Sequence, residues 1–216
     1  MPSTSRPALA KPAPQPRGQA AVERLLDAAE AILTRSGLER ATVPAIARRA
    51  RMSVGNVYKR FPDKDALMRA VYQRFFARSL EQNREVLMSE RWASVPIREM
   101  LQAIVHGIVD GYREHRALIR ALLLYAETHP DPGFRREAET LRRETMARLE
   151  QLLAARRSEL MHPAPERAIR LAVAVIALAL QSVVLSDRSG PAEMITLSPG
   201  TAAELSAMVA GYLGLK

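Results

Sequence analysis

Residues Thr42 to Phe61 read TVPAIARRARMSVGNVYKRF, and their types and spacing suit contact with a nucleic acid. Thr42 can cap a first helix whose apolar face is Val43, Ile46 and Ala47. The chain then turns at Ala50, Arg51 and Met52. Ser53 can cap a second, short helix by accepting a backbone N–H two or three residues on. In that helix Val57 and Phe61 are four apart, so they share one face and can pack inward. Ser53, Gly55, Asn56 and Lys59 are left on the other faces, small or polar and able to hydrogen-bond. A glycine inside a helix costs roughly 1 kcal/mol against alanine. Gly55 makes sense where a phosphate backbone must come close, because it has no Cβ to clash. Two short helices at a steep angle, the second exposing small and polar groups, form a helix-turn-helix that fits a DNA major groove.

The charge distribution agrees. The 216 residues carry 32 Lys and Arg against 23 Asp and Glu, a net charge of +9. Residues 1–80 hold 15 basic and 6 acidic residues, whereas 81–216 hold 17 of each. The whole excess therefore sits around the helix-turn-helix, as in a polyanion-binding head on a neutral body.

Other chemistry is poorly supported. There is no cysteine, which excludes disulfides and thiolate metal sites. No G-x-S-x-G, H-E-x-x-H or P-loop occurs, so an enzyme is the least favoured reading. Acidic pairs formed by spatial neighbours stay hidden in a linear sequence. His106 and Asp110 are i and i+4 and can meet on one helix face, but no third ligand is evident. A hydrogen-bonded core histidine is the expectation there, with no metal and no cofactor.

The elements that position these residues are helical throughout. Residues 1–18 (MPSTSRPALAKPAPQPRG) read as a disordered basic arm without the apolar core of a signal peptide. Val22, Leu25, Leu26, Ala29, Ile32 and Leu33 form a period-3.6 stripe ended by Gly37, a C′ residue. After the two short helices, Pro62-Asp63 breaks the chain, and a long helix runs from about Lys64 toward Glu90. Further helices are expected over about 97–112, 115–128, 134–157, 166–185 and 201–213, separated by Pro, Gly and Ser clusters. No segment shows period-2 alternation with hairpin signals, and no internal repeat is visible. The longest strongly apolar run, Leu171 to Leu185, is shorter than the roughly 20 residues of a membrane span. Lacking a span or a signal, the chain is expected in the cytoplasm.

Residues 19–78 resemble the DNA-binding domain of the TetR family of bacterial transcriptional regulators. The likeness lies in LLDAAEAILTRSGLERATVPAIARRA followed by MSVGNVYKRFPDKDALM. A first helix ends in Gly, a Thr precedes the second, Ile-Ala lies within it, Ser-x-Gly-x-x-Tyr-x-x-Phe forms the third, and Lys-x-x-Leu opens the fourth. The resemblance implies an all-α fold in which a three-helix head joins, through a connecting helix, a C-terminal effector-binding and dimerisation body over 79–216. It also implies DNA contacts. Ser53, Val54, Gly55 and Asn56 would face bases and phosphates, with Asn56 able to read an adenine edge. Thr42, Tyr58 and Lys59 would meet phosphates, and Lys64 would clamp the backbone. Arg51 stands where the family usually has Gly in the turn. Either the turn is shaped differently, or a phosphate contact from Arg51 offsets a strain of about 1–2 kcal/mol. Arg48 and Arg49 are expected on a solvent face.

The body is less informative. Leu171 to Leu185 is apolar nearly all round, as befits a helix buried in its own core or against a partner. Leu171, Val175 and Leu178, with Leu205, Met208 and Val209, are candidates for half of an intersubunit four-helix bundle. A two-fold homodimer would set two heads on adjacent half-sites of a symmetric double-stranded operator. Met88, Trp92, Met100, Ile104, Ile108, Tyr125 and Met146 are candidates to line a small-molecule effector pocket, though core packing explains each singly. The resulting expectation is a sequence-specific regulator, a repressor released by a small-molecule effector, or alternatively a constitutive dimeric regulator without a ligand.

Overall fold

A computed structural model describes residues 16–186 and 196–215, and these described residues form nine α-helices and no strand. Residues 1–15 of the expected arm lie outside the described residues. Its last three residues do not follow the expectation: α1 already begins at Pro16 and runs to Arg40. Gly37, at φ 75° and ψ −178°, breaks α1 near its end, a conformation open to glycine and costly to other residues. The helix-turn-helix is α2 (Val43–Arg49) and α3 (Val54–Tyr58). The connecting helix α4 spans Lys64–Val86, ending short of the expected Glu90, and a 3-10 turn at Ser89–Trp92 follows. The body comprises α5 (Ile97–Glu114), α6 (Arg116–Glu127), α7 (Pro132–Ala155), α8 (Pro165–Leu185) and α9 (Pro199–Leu213).

The apolar stripes condense into two clusters. The first joins Leu25, Ala29 and Leu33 of α1, Ile46 of α2, Val57 of α3 and Leu67, Val71 and Tyr72 of α4. It does not stop at the head, because Leu118, Ile119 and Leu122 of α6 and Phe134 of α7 belong to it. The second joins Met100, Leu101 and Ile104 of α5, Leu149 and Leu153 of α7, Ile169, Val173 and Ile176 of α8, and Leu205, Val209 and Leu213 of α9. Tyr112 packs against both.

Polar ties reinforce the joints. Arg74 of α4 reaches Glu23 and Asp27 of α1 at 2.8 Å and Glu30 at 2.8 Å, while Arg78 reaches Glu30 at 2.6 Å. Arg74 is mostly buried, so its three carboxylates matter more than surface partners would. On α6, Arg116 and Arg120 donate to the last carbonyls of α8, at 3.3 Å to Val183 and 3.0 Å to Val184. Those carbonyls are ones a helix end leaves without an internal partner.

At 21 residues, α8 is by length and composition able to cross a membrane, contrary to the sequence expectation. Its composition is apolar because one side, Ile169, Val173, Ile176 and Leu180, fills the second cluster. The opposite side keeps Leu171 and Leu178 exposed.

Because α6 completes the head's core, head and body should unfold in one transition. Leu122→Ala, at a fully buried α6 position, should cost about 2–5 kcal/mol and lower that single denaturation midpoint. Two separate transitions in wild type, with only the later one moved, would show the opposite.

Candidate nucleic-acid interface

Local hydrogen bonds shape the helix-turn-helix. The Ala45 N–H donates to Thr42 Oγ1 at 3.3 Å, capping α2, and the Asn56 N–H donates to Ser53 Oγ at 3.2 Å, capping α3. Between them, the Arg51 N–H donates to the Arg48 carbonyl at 3.1 Å and the Met52 N–H to the Ala47 carbonyl at 2.9 Å. With Arg51 at φ 57°, this is the usual left-handed helix stop, built on arginine instead of glycine. A differently shaped turn is therefore ruled out as the account of Arg51. Val57 and Phe61 are buried, which fixes which side of α3 faces out.

That outward side carries Ser53, Val54, Gly55, Tyr58 and Lys59, all exposed, with Tyr58 51% exposed and Val54 38%. A Cβ added at Gly55 would meet nothing within 4 Å, so the chain's own packing does not require the glycine. Thr42, Arg51 and Lys64 are exposed as well. Asn56 is partly buried, and its carbonyl accepts from Arg60 Nη1 at 2.9 Å, so Arg60 folds back along α3. Beside α2 lies an open cleft of about 940 Å³ lined by Arg40, Thr42, Arg48 and Arg49. Arg48 and Arg49 are exposed as expected. Arg40 was not anticipated, because it sits beyond the Gly37 break, where helical periodicity gives no facing.

A second polar assembly sets the start of α4. Asp63 caps the helix, accepting from the Ala66 N–H at 2.7 Å. Asp65 reaches into the body, accepting from the Tyr125 hydroxyl at 2.5 Å and from His129 Nε2 at 2.7 Å. The Asp131 N–H donates to His129 Nδ1 at 3.1 Å, which leaves the ring proton on Nε2. Arg69 holds the other Asp65 oxygen at 2.6 Å and Asp131 at 2.9 Å, and lies over the Phe134 ring. Burial works to raise the Asp65 pKa, but the hydrogen bonds from Tyr125, His129 and Arg69 outweigh it and hold it at about 2. Burial and the Asp65 carboxylate push the Tyr125 phenol up. Tyr125, expected in an effector pocket, is thus part of the tie between α6 and α4. The expected reading missed Asp65 and His129, since residues 64 apart show no sequence signal of their meeting.

The other body candidates do not gather around one cavity. Met100 and Ile104 are fully packed in the second cluster, and Trp92 is buried with its indole N–H on the Val86 carbonyl at 2.9 Å. Ile108 and Met146 pack at that cluster's edge. Met88 is half exposed on a separate open cleft of about 330 Å³, shared with Arg84, Arg148 and Leu152. His106 is not a core residue; its Nδ1 pairs with the Gln102 carbonyl at 2.8 Å, and Asp110 pairs with Arg113 at 2.8 Å. Among the described residues, no group of three or more His, Asp and Glu could hold a metal ion. Of the candidate dimer residues, Leu171, Leu178 and Met208 are exposed and Val175 partly so. Leu205 and Val209 are not available to a partner, because they turn inward and are buried in the protomer's own core.

A capped helix-turn-helix on a helical body defines a DNA-binding transcriptional regulator. Two family profiles agree: that of bacterial regulatory proteins of the tetR family matches residues 25–71, and that of the tetracyclin repressor-like C-terminal domain matches 96–213. The chain belongs to the tetR family, whose members are DNA-binding regulators and not enzymes. No curated protein matches it in sequence. In fold it is similar to a TetR-family regulator from Mesorhizobium loti, at TM-score 0.71 and 18% identity over 93% of this chain and 98% of that one. A tetR-family protein from Rhodococcus RHA1 aligns at TM-score 0.67 and 20% identity over 91% and 98%. FadR from Bacillus subtilis, solved with stearoyl-CoA, aligns at TM-score 0.66 and 15% identity over 87% and 96%.

Two outcomes are expected. Arg51→Gly should relieve the left-handed strain and raise stability by about 1 kcal/mol, while weakening DNA binding; unchanged binding would remove Arg51 from the contact set. A carboxylate with a lowered pKa stabilises the fold fully above its ordinary value, here 3.8, and loses that contribution as pH falls toward about 2. Asp65→Asn should therefore flatten the fall of the unfolding midpoint between those pH values, as read by urea titration.

Proposed function

We propose that this regulator binds a two-fold symmetric double-stranded operator as a homodimer, represses transcription there, and is released by a small-molecule effector in the cytoplasm. The observation that carries the DNA-binding part is the exposed side of α3, with Val54, Gly55, Tyr58 and Lys59 facing out beside Thr42 and Arg51. Tyr58, Lys59, Thr42, Arg51 and Lys64 meet phosphates, which fix register and make affinity salt-dependent. Ser53, Val54, Gly55 and Asn56 approach the groove, and Asn56 reads a base edge with its amide.

The exposed apolar residues of α8 and α9 support pairing. Leu171, Leu178, Met208 and Tyr212 are 40–65% exposed, an arrangement a second copy would cover. The effector reading draws on the family and on fold neighbours solved with small molecules, FadR with stearoyl-CoA and SmeT with triclosan. An effector that prefers one body conformation would move α4 through Asp65 and Arg69, and with it the spacing of the two heads. The tight packing of Met100 and Ile104 favours a second reading, a constitutive regulator that needs no ligand.

Selection of genomic fragments with purified protein, followed by footprinting, should return a protected two-fold site; salt-sensitive binding without a preferred site would sink the reading. Tyr58→Ala and Lys64→Ala should each weaken binding to all sequences, and Lys64→Ala should reduce the salt slope by about 1. Asn56→Ala should instead relax preference at one operator position. Leu178→Glu should yield a folded monomer by sedimentation, with much weaker operator binding.

A further inference from the structure

The head engages most of its acidic residues within the protein. Residues 1–80 hold 6 of them. Glu23, Asp27 and Glu30 each lie 2.8 Å from Arg74. Asp63 caps α4, and Asp65 is held by Tyr125, His129 and Arg69. Among the described residues of the head, only Glu39, exposed at the end of α1, is an acid with no such role. On the basic side, Arg60, Arg69, Arg74 and Arg78 are engaged inside the protein. Arg40, Arg48 and Arg49 are not. All three are exposed, and their side chains make no hydrogen bond, ion pair or ring contact among the described residues.

These three arginines share one place. They line the open cleft of about 940 Å³ beside α2, where the acid among the lining residues is Glu39. Burial of Val43, Ile46 and Ala47 fixes the roll of α2, so Arg48 and Arg49 are held on its outer side. Thr42 lines the same cleft from the other end of the helix. Thr42 and Arg49 are seven residues apart, about 10 Å along the axis. A DNA strand carries one phosphate per roughly 3.4 Å of duplex axis, so the cleft is long enough to meet more than one. Its opposite wall is α1, through Ile32 and Ser36, and no residue of α3 lines it. Whatever fills the cleft therefore lies beside the groove that α3 enters, and not within it.

We propose that the cleft between α1 and α2 holds DNA backbone flanking the bases that α3 reads, with Arg40, Arg48 and Arg49 as its phosphate contacts. This rests on the helix-turn-helix binding DNA, and it lengthens the footprint of each head. Solvated arginines favour a polyanion over a protein partner. A single exposed carboxylate gains about 0–1 kcal/mol from such a group. Duplex DNA gains more from the same charges, because each neutralised phosphate releases condensed counterions. The contacts are continuous with Thr42, which belongs to both the cleft and the exposed side of the helix-turn-helix. They add affinity and fix the attitude of the head on the duplex, and they carry no base preference.

The test uses the full chain and a long mixed-sequence DNA duplex, so it needs no operator. Fluorescence anisotropy from about 50 to 200 mM NaCl gives the slope of log affinity against log salt. Arg40→Gln, Arg48→Gln and Arg49→Gln should each reduce that slope by about 0.9. Arg143→Gln, an equal loss of charge at an exposed position of α7, should leave it unchanged. Slopes unchanged in all three head variants overturn the proposal, and one unchanged variant removes that arginine from the cleft contacts. An equal drop in Arg143→Gln overturns it too, by making the effect one of net charge. Lowered stability with an unchanged slope would confine Arg48 and Arg49 to favouring the C-terminal end of α2. A second measurement needs no variant. On an operator recovered by selection, phosphate ethylation should interfere outside the base pairs whose preference Asn56→Ala relaxes, and interference confined to those pairs overturns the flanking placement. A preferred operator with unmoved slopes removes the cleft and keeps the regulator. Reduced slopes without any preferred sequence keep the cleft and overturn the operator reading.

Discussion

One helix ties the head to the body. The first turns of α4 place Leu67, Val71 and Tyr72 in the cluster that also holds α1, α2 and α3. Tyr72 stacks with Phe76 at 4.6 Å and meets Phe134 of α7 edge-on at 5.5 Å. The Asp65 assembly then pins the start of the same helix to α6 and to the turn before α7. Apolar burial supplies most of the free energy, and the polar ties supply direction, because a hydrogen bond tolerates little displacement. The attitude of the head is thereby fixed on the body twice, through α4 and through the packing of α6 against the head's core.

The head is built economically for its size. Five residues suffice for α3 because Ser53 caps its beginning and Val57 and Phe61 hold its inner side. Such a helix would not stand alone in water, where nucleation is unfavourable and short helices are marginal. Its outer side is consequently free to be chosen for contact and not for stability, and Gly55 illustrates that freedom. The basic excess of residues 1–80 adds attraction without specificity.

Much of this was legible in the residues, and the reasons for the gaps differ. Local rules succeeded where the determinant is local: the caps at Thr42 and Ser53, the inward pair Val57 and Phe61, and the breaks at Gly37 and Pro62. Periodicity ranked apolar faces but not their partners, which is why Leu205 and Val209 pointed to another subunit while packing within their own. The extent of α8 was read to within a residue, but only its apolar run from Leu171 was set against a membrane span, leaving out the first turns that hold Arg167 and Arg170. The turn at Arg51 kept its ordinary geometry despite lacking glycine, a point on which side-chain identity was a poor guide. Tyr125 and His129 were opaque for a different reason. Their partner, Asp65, lies 60 and 64 residues away, and an isolated phenol or imidazole names no partner.

The uncovered apolar side of α8 has a consequence for dosage. With the proposed pairing, a monomer owns one head and half of the grip on DNA, so the species that occupies an operator forms in proportion to the square of the free chain concentration. Below the dimerisation constant, halving the supply of chain cuts the pairing species fourfold. Occupancy would then respond to synthesis and dilution more steeply than a single-site binder allows, and cell growth itself would act as an input beside any small molecule.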